Sequence, residues 1–145
     1  ENERKVAVFS ADFGNLDALR AFVAAEAIAY GLAPAGVYAV QLAVDEGFTN
    51  IVEHAYGGES QNKIECTCQI AGEGLVVTLR DCGKPFNPLA VPEPNLEADL
   101  EDREIGGLGL YFIRQLMDEV TFSFIQGDEG QAGCNLLRMV KRKEQ

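Results

Sequence analysis

Apolar positions recur along this chain with two periods, and the switches between them lay out the elements. Residues 4–9 alternate weakly and predict a strand. From Asn15 the period turns helical, with Leu16, Leu19, Val23, Ala27 and Tyr30 spaced by three or four residues, and Gly31 predicts the end of that helix. Pro34 suits the first turn of a second helix, where its missing N–H is not needed. That helix carries the stripe Val37, Val40, Val44, Phe48, Ile51 and Ala55, and Gly57-Gly58 predicts its stop. The period then drops to two. Ile64, Cys66, Cys68 and Ile70 alternate with Lys63, Glu65, Thr67 and Gln69, and Leu75, Val77 and Leu79 alternate with Val76, Thr78 and Arg80. Ala71-Gly72-Glu73-Gly74 between them predicts a hairpin turn.

From Gly83 to Glu104 the pattern breaks. Pro85, Pro88, Pro92 and Pro94, with Glu93, Glu97, Asp99, Glu101, Asp102 and Glu104, predict a long loop with at most one short helical turn, a length that in compact domains usually carries function. Gly106-Gly107-Leu108-Gly109 opens a third helix running to about Met117, and two strands follow at about 119–126 and 133–141. The order β-α-α-β-β-loop-α-β-β, without repeat or internal boundary, predicts one α/β (α+β) domain over residues 1–145, its helices packed on one face of a mixed sheet.

Composition changes the picture in three places. The chain has 145 residues, 47% hydrophobic and 24% charged, enough to bury a core without metal or disulfide staples. It has no run long enough to span a membrane and no visible secretion signal, so a cytoplasmic protein without membrane contact is expected; it starts at Glu1 rather than Met, as a trimmed chain or part of a longer protein would. The net charge of −11 repels a phosphate backbone, which argues against nucleic acid and for a protein partner with a basic surface. A highly charged small ligand needs a local pocket or a metal to offset that field. Cys66, Cys68, Cys82 and Cys134 lack zinc spacing and read as small buried thiols, Cys66 and Cys68 on one face of a strand.

Candidate chemistry falls in three places. Glu46 and Asn50, four apart on the second helix, share a face roughly opposite Val40, Val44 and Ile51, by itself the pattern of a solvated surface. Yet Gly47, at a cost of about 1 kcal/mol relative to Ala in a helix, and the small Ala39 and Ala43 leave room beside them. Asp81 continues the phase of Leu75, Val77 and Leu79, so it points to the core side, where a carboxylate needs a partner or a ligand. A bond to the backbone of the turn and a ligand contact fit it equally. Gly83 follows, where a side chain is unwelcome. Gly106, Gly107 and Gly109 lead a helix, a setting that favours an anion, without forming a P-loop or Rossmann motif. His54, with no second histidine or nucleophile, reads as a capping or surface residue. Lys84 and Arg103 flank the long loop, where phosphate contact and plain solvation both fit.

Taken in order, Glu46-Gly-Phe-Thr-Asn50, Asp81-Cys-Gly83-Lys-Pro85-Phe86 and Gly106-Gly107-Leu108-Gly109-Leu110 resemble the three nucleotide-binding boxes of the GHKL ATPases, the Bergerat fold. Asp45 before Glu46, His54-Ala55-Tyr56, Pro85-Phe86-Asn87-Pro88 and Leu116-Met117-Asp118-Glu119-Val120 are similar to the anti-sigma-factor serine kinases of the RsbW type, and the resemblance spans nearly the whole chain. Lys84-Pro85 stands where many GHKL members carry a further glycine. The resemblance implies a two-layer sandwich with a mostly antiparallel sheet and Mg-ATP bound under a lid at about 87–105. It implies that Asn50 holds Mg²⁺, that Asp81 accepts from the adenine amino group while Gly83 lets the ring approach, and that Gly106, Gly107, Leu108 and Gly109 lie at the phosphates, with Pro85 and Arg103 also at the nucleotide. Glu46 would be the general base toward a partner serine. The implied function is a protein serine kinase that phosphorylates an anti-sigma antagonist and sequesters a sigma factor, with room for a homodimer. The alternative is a nucleotide-gated binding module with little or no transfer. A histidine kinase is disfavoured, as no phosphoacceptor-histidine hairpin precedes the ATPase-like core.

Overall fold

The computed structural model describes residues 3–72, 74–86, 113–130 and 133–143. Strand β1 (Lys5–Ser10) leads through a 3-10 turn (Phe13–Asn15) to helices α1 (Leu16–Tyr30) and α2 (Pro34–Asn50). The hairpin β2 (Lys63–Ala71) and β3 (Gly74–Asp81) follows, then β4 (Glu119–Ile125) and β5 (Cys134–Arg142). Of the expected third helix, a turn at 113–116 falls among the described residues; its glycine-led start lies outside them.

Local chemistry sets the boundaries. Gly31 ends α1 at φ 106°, its N–H donating to the Ala27 and Ile28 carbonyls, a conformation that side chains rarely adopt. Pro34 opens α2. Ala71 pairs with Gly74, which leaves a two-residue hairpin connection, and Gly72 has φ 61°.

The sheet runs β1-β2-β3-β5-β4 with every pairing antiparallel, so the last strand sits between β3 and β4. One face packs on the helices. Ile64, Cys66, Cys68, Leu75, Val77, Leu79, Leu137 and Met139 close against Leu19, Val23 and Ala27 of α1 and Val40, Val44 and Phe48 of α2. Each large apolar side chain buried there contributes about 1.5–3 kcal/mol. This is the two-layer arrangement expected. No helix among the described residues is long and apolar enough to cross a membrane.

Two features depart from the sequence reading. The second helix does reach its predicted stop, but over Ile51–Ala55 it widens into a π-helical turn, closed by Tyr56 N–H to the Ile51 carbonyl at 3.0 Å. The cysteines also divide. Cys66 and Cys68 are buried free thiols on the inner face, as expected, whereas Cys82 and Cys134 form a disulfide across 52 residues. The reason is register: one step beyond the Asp81↔Asn135 pair, β3 and β5 bring these two residues opposite each other.

Candidate functional site

The inward-facing pairs of β3 and β5 are Val77↔Met139, Leu79↔Leu137 and then Asp81↔Asn135. The last is polar, and both members are 3% exposed. The Asn135 amide donates to Asp81 Oδ1 at 2.9 Å and to the Lys84 carbonyl at 2.9 Å, and accepts from Phe86 N–H at 3.0 Å. Gly83 N–H adds a bond to Asp81 Oδ1 at 3.0 Å. Asp81 therefore bonds its turn, and also faces a cavity. Burial pushes its carboxyl above the ordinary value, with the Asn135 and Gly83 donors opposing.

Residues 82–86 are thus fastened to the strand end, and the π-helical turn fastens them again. Lys84 N–H donates to the Ala55 carbonyl at 2.9 Å, and Cys82 N–H to Tyr56 Oη at 3.2 Å. A Cβ on Gly83 would stand 2.7 Å from the Ala55 carbonyl oxygen and 2.8 Å from the Tyr56 ring. The space that Gly83 was expected to leave for a ring is, in the Cβ direction, filled by Ala55 and Tyr56; the glycine lets this loop close on the π-turn.

Helix α2 supplies the opposite wall. Asn50, expected on a polar face away from the apolar stripe, is 3% exposed, and its amide nitrogen has no hydrogen-bond partner. The helix packs on α1 along one flank and on β3 and β5 along the other, so its buried arc is wider than a single stripe and includes Ala43, Gly47 and Asn50. A Cβ on Gly47 would come 2.7 Å from Leu79 Cδ1 and 3.3 Å from Leu137 Cδ2, so the leucines occupy the room that this glycine leaves. Glu46, one turn before Asn50, is half-buried. Burial raises its carboxyl first, and the charges of Asp45 and Glu53 raise it further. Asp45 is held by Arg20, whose Nη1 lies 2.9 Å from both carboxylate oxygens, and Arg20 also bridges Asp17.

Between these walls lies a small cavity, about 20 Å³ of enclosed space opening into a mouth that brings the total to about 290 Å³. Leu79, Leu137, Phe122 and Ile51 supply apolar lining, with Asn50, Asp81 and Asn135 as its polar groups. Phe86 also lines it and stacks on His54 at 4.9 Å between ring centroids, so the exposed His54 is a surface residue that supports an aromatic wall. Its lining, mostly apolar with a few convergent polar groups, has the chemistry of a small-molecule site, and a ring-sized ligand enters it only by widening the mouth. The structure brings Asn50 and Asp81 together here. Glu46, Gly83 and the exposed Pro85 are not among the residues that line it. Gly106, Gly107, Leu108, Gly109, Arg103 and the lid expected at 87–105 lie outside the described residues. Asn135 is the polar residue that sequence reading missed. Its one signal was that it continues the inward phase of Leu137 and Met139, as Asp81 continues that of Leu79. Among the described residues no group of three His, Cys, Asp or Glu side chains could hold a metal ion by itself.

Comparison with known proteins gives a concordant result. The family model described as histidine kinase-like ATPase domain matches residues 9–141. A serine-protein kinase RsbW from Listeria innocua serovar 6a is 35% identical over 97 residues, 61% of this chain and 59% of its own. The protein of that name from Staphylococcus epidermidis is 34% identical over 109 residues, 72% of this chain and 66% of its own. The chain therefore spans roughly three fifths to two thirds of the length of these curated relatives. The crystal structure of the RsbU and RsbW domains of Rv1364c from Mycobacterium tuberculosis is similar with a TM-score of 0.63 at 17% identity, covering 97% of this chain and 32% of that one, a likeness of fold.

Proposed function

This chain belongs to the histidine kinase-like ATPase domain family, and from that premise we propose that it binds ATP in the cavity between α2 and the β3–β5 pair and acts as a protein serine kinase of the anti-sigma-factor type. The observation that carries this reading is the cavity's two polar ends: a buried carboxylate with both its protein hydrogen bonds on one oxygen, and a buried amide lacking a partner. Asp81 accepts from the exocyclic amino group of adenine, and Asn135 holds the carboxylate in place for it. Gly83 acts indirectly, by seating the loop. Pro85 bounds the same loop.

Mg²⁺ fits the other end. It keeps several waters and binds through one or two protein oxygens plus substrate phosphates, so it needs no cluster of ligands. The Asn50 amide oxygen would hold it, and its unpartnered nitrogen would meet phosphate or water. The ion supplies positive charge at the phosphates, which a domain of net charge −11 otherwise repels. Glu46, half-buried and raised by its surroundings, takes the proton of the attacking serine hydroxyl; a base of raised pKa is the better matched to neutral pH. The backbone of Gly106, Gly107, Leu108 and Gly109, with Arg103, contacts the phosphates, and 87–105 serves as the lid. The substrate is an anti-sigma antagonist carrying the serine, and the second partner is a sigma factor. A homodimer and a cytoplasmic setting complete the proposal. The relatives named serine-protein kinase RsbW support it.

Calorimetry with ATP and ADP, with and without Mg²⁺, tests the binding half. Metal-dependent binding of both is expected, and Asn50→Ala should remove most of the metal dependence. No binding of either nucleotide would end the reading. Labelled ATP with an anti-sigma antagonist tests the chemistry: label on a serine is expected, and binding without transfer would leave a nucleotide-gated binding module.

A further inference from the structure

The disulfide stands back to back with the cavity. Asp81 and Asn135 face inward; Cys82 and Cys134, the next pair in register, point to the opposite face of the sheet. The bond therefore closes the ends of the two strands from which the Asp81–Asn135 network hangs. Its two cysteines are unlike. Cys82 is exposed, whereas Cys134 is 7% exposed and its Sγ accepts from the Arg80 guanidinium at 3.4 Å.

We propose that Cys82–Cys134 is a redox-active site that exchanges with a dithiol reductant and sets how tightly the neighbouring cavity binds nucleotide; the second half rests on the ATP reading above. The asymmetry gives the exchange a direction. A thiolate of the reductant attacks the sulfur of the exposed Cys82, the S–S bond breaks, and its electron pair leaves on Cys134, where Arg80 stabilises the thiolate. The second thiol of the reductant, deprotonated, attacks the mixed disulfide and releases Cys82. The reductant departs as its own disulfide, having given two electrons and two protons. Cys66 and Cys68 stay out of the exchange: both are buried, and the hydrogen bond that the Cys66 thiol donates to Cys68, together with burial, holds Cys66 well above its ordinary value. In a cytoplasmic setting, a disulfide is usually one that forms and breaks in service rather than a permanent staple.

Reduction acts on the cavity through Asn135. Two thiols cannot occupy the space of a bonded pair, so Cys82 moves off Cys134 when the bond is cut. The strand ends are then held by the hydrogen bonds of Asn135, Gly83, Lys84 and Tyr56 without a covalent clamp. A less preorganised loop binds more weakly, because ordering it then draws on the binding free energy. By linkage, nucleotide must protect the disulfide from reduction by the same factor.

The test uses the full chain in two states, air-oxidised and dithiothreitol-reduced. Alkylation under denaturing conditions, read by mass spectrometry, should count two thiols in the first state and all four in the second. Mg-ADP affinity by calorimetry should fall about fivefold or more on reduction. Cys134→Ser and Cys82→Ser should bind as the reduced chain does and be indifferent to dithiothreitol. Four alkylated thiols before reduction would overturn the site. Two thiols with equal Mg-ADP affinity in both states would overturn the coupling alone. Absence of Mg-ADP binding in either state would fell the ATP reading and the coupling with it, and leave the thiol count as a separate result.

Discussion

Val77↔Met139 and Leu79↔Leu137 sit beside Asp81↔Asn135 on the same two strands, in the same register and at similar burial. The first two pairs hold by apolar contact, which is non-directional. The third carries a carboxylate and an amide out of water, a desolvation cost offset only where each has partners. Asn135 meets it with three bonds that reach Asp81, Lys84 and Phe86. The contrast teaches that the apolar pairs supply stability, whereas the polar pair supplies position: it fixes where a carboxylate, a loop and an aromatic ring stand around a cavity.

Substitutions on the two strands and the facing helix test that division. The largest effect is expected at Glu46, across the cavity wall from the strands. Glu46→Gln keeps shape and removes the proposed base, so serine phosphotransfer should drop by about 10²–10⁴-fold with ATP affinity near wild type. Transfer at the wild-type rate would remove Glu46 from the chemistry. Leu79→Ala tests the apolar side: it should cost about 2–5 kcal/mol of stability by urea denaturation, while any loss of nucleotide affinity should be small in molecules that remain folded. Asn135→Ala should cost about 1–3 kcal/mol, less than Leu79→Ala, yet weaken ATP more. If the two ranked the same way in both assays, the polar pair would be ordinary core.

The smallest stability effect is expected at Asp81, where the sign is the informative part. Asp81→Asn keeps an Oδ1 acceptor for Gly83 and Asn135 and removes a buried charge. Its stability at neutral pH should equal or exceed wild type, while adenine loses its advantage over guanine in binding. The carboxyl is raised in the fold, so on increasing pH the unfolded chain releases this proton first. The Asp81 contribution to stability should fall as pH rises from the ordinary carboxyl value of 3.8 through the raised folded value, and be constant above it. Urea titrations of wild type and Asp81→Asn across that window should show the difference opening toward higher pH; a difference that closes would contradict the burial argument.

Much of this was legible in one dimension. Gly31, Pro34 and the Gly72 turn act on their own backbone, so element ends could be read from neighbours alone. The inward phase of Asp81 followed from Leu75, Val77 and Leu79. Asn50 was read on the wrong side of its helix because one stripe describes a helix with one packed flank, and α2 has two. His54 is a surface residue, as its position predicts, but its stacking on Phe86 has no signal in the sequence, because that partner lies 32 positions on, across the π-turn.

The order of elements, the helix and strand periods and the three motifs that resemble the GHKL boxes are properties of residues a few positions apart, where steric and hydrogen-bonding preferences act directly, and they stand in the sequence alone. The strand order β1-β2-β3-β5-β4 is set instead by which apolar faces close together. Only that closure decided that Asn135 would hold Asp81, that Ala55 and Tyr56 would take the space beside Gly83, and that Cys82 would meet Cys134. Each of these joins residues whose separation along the chain carries no local signal, because their contact energy exists only once the intervening strands have paired.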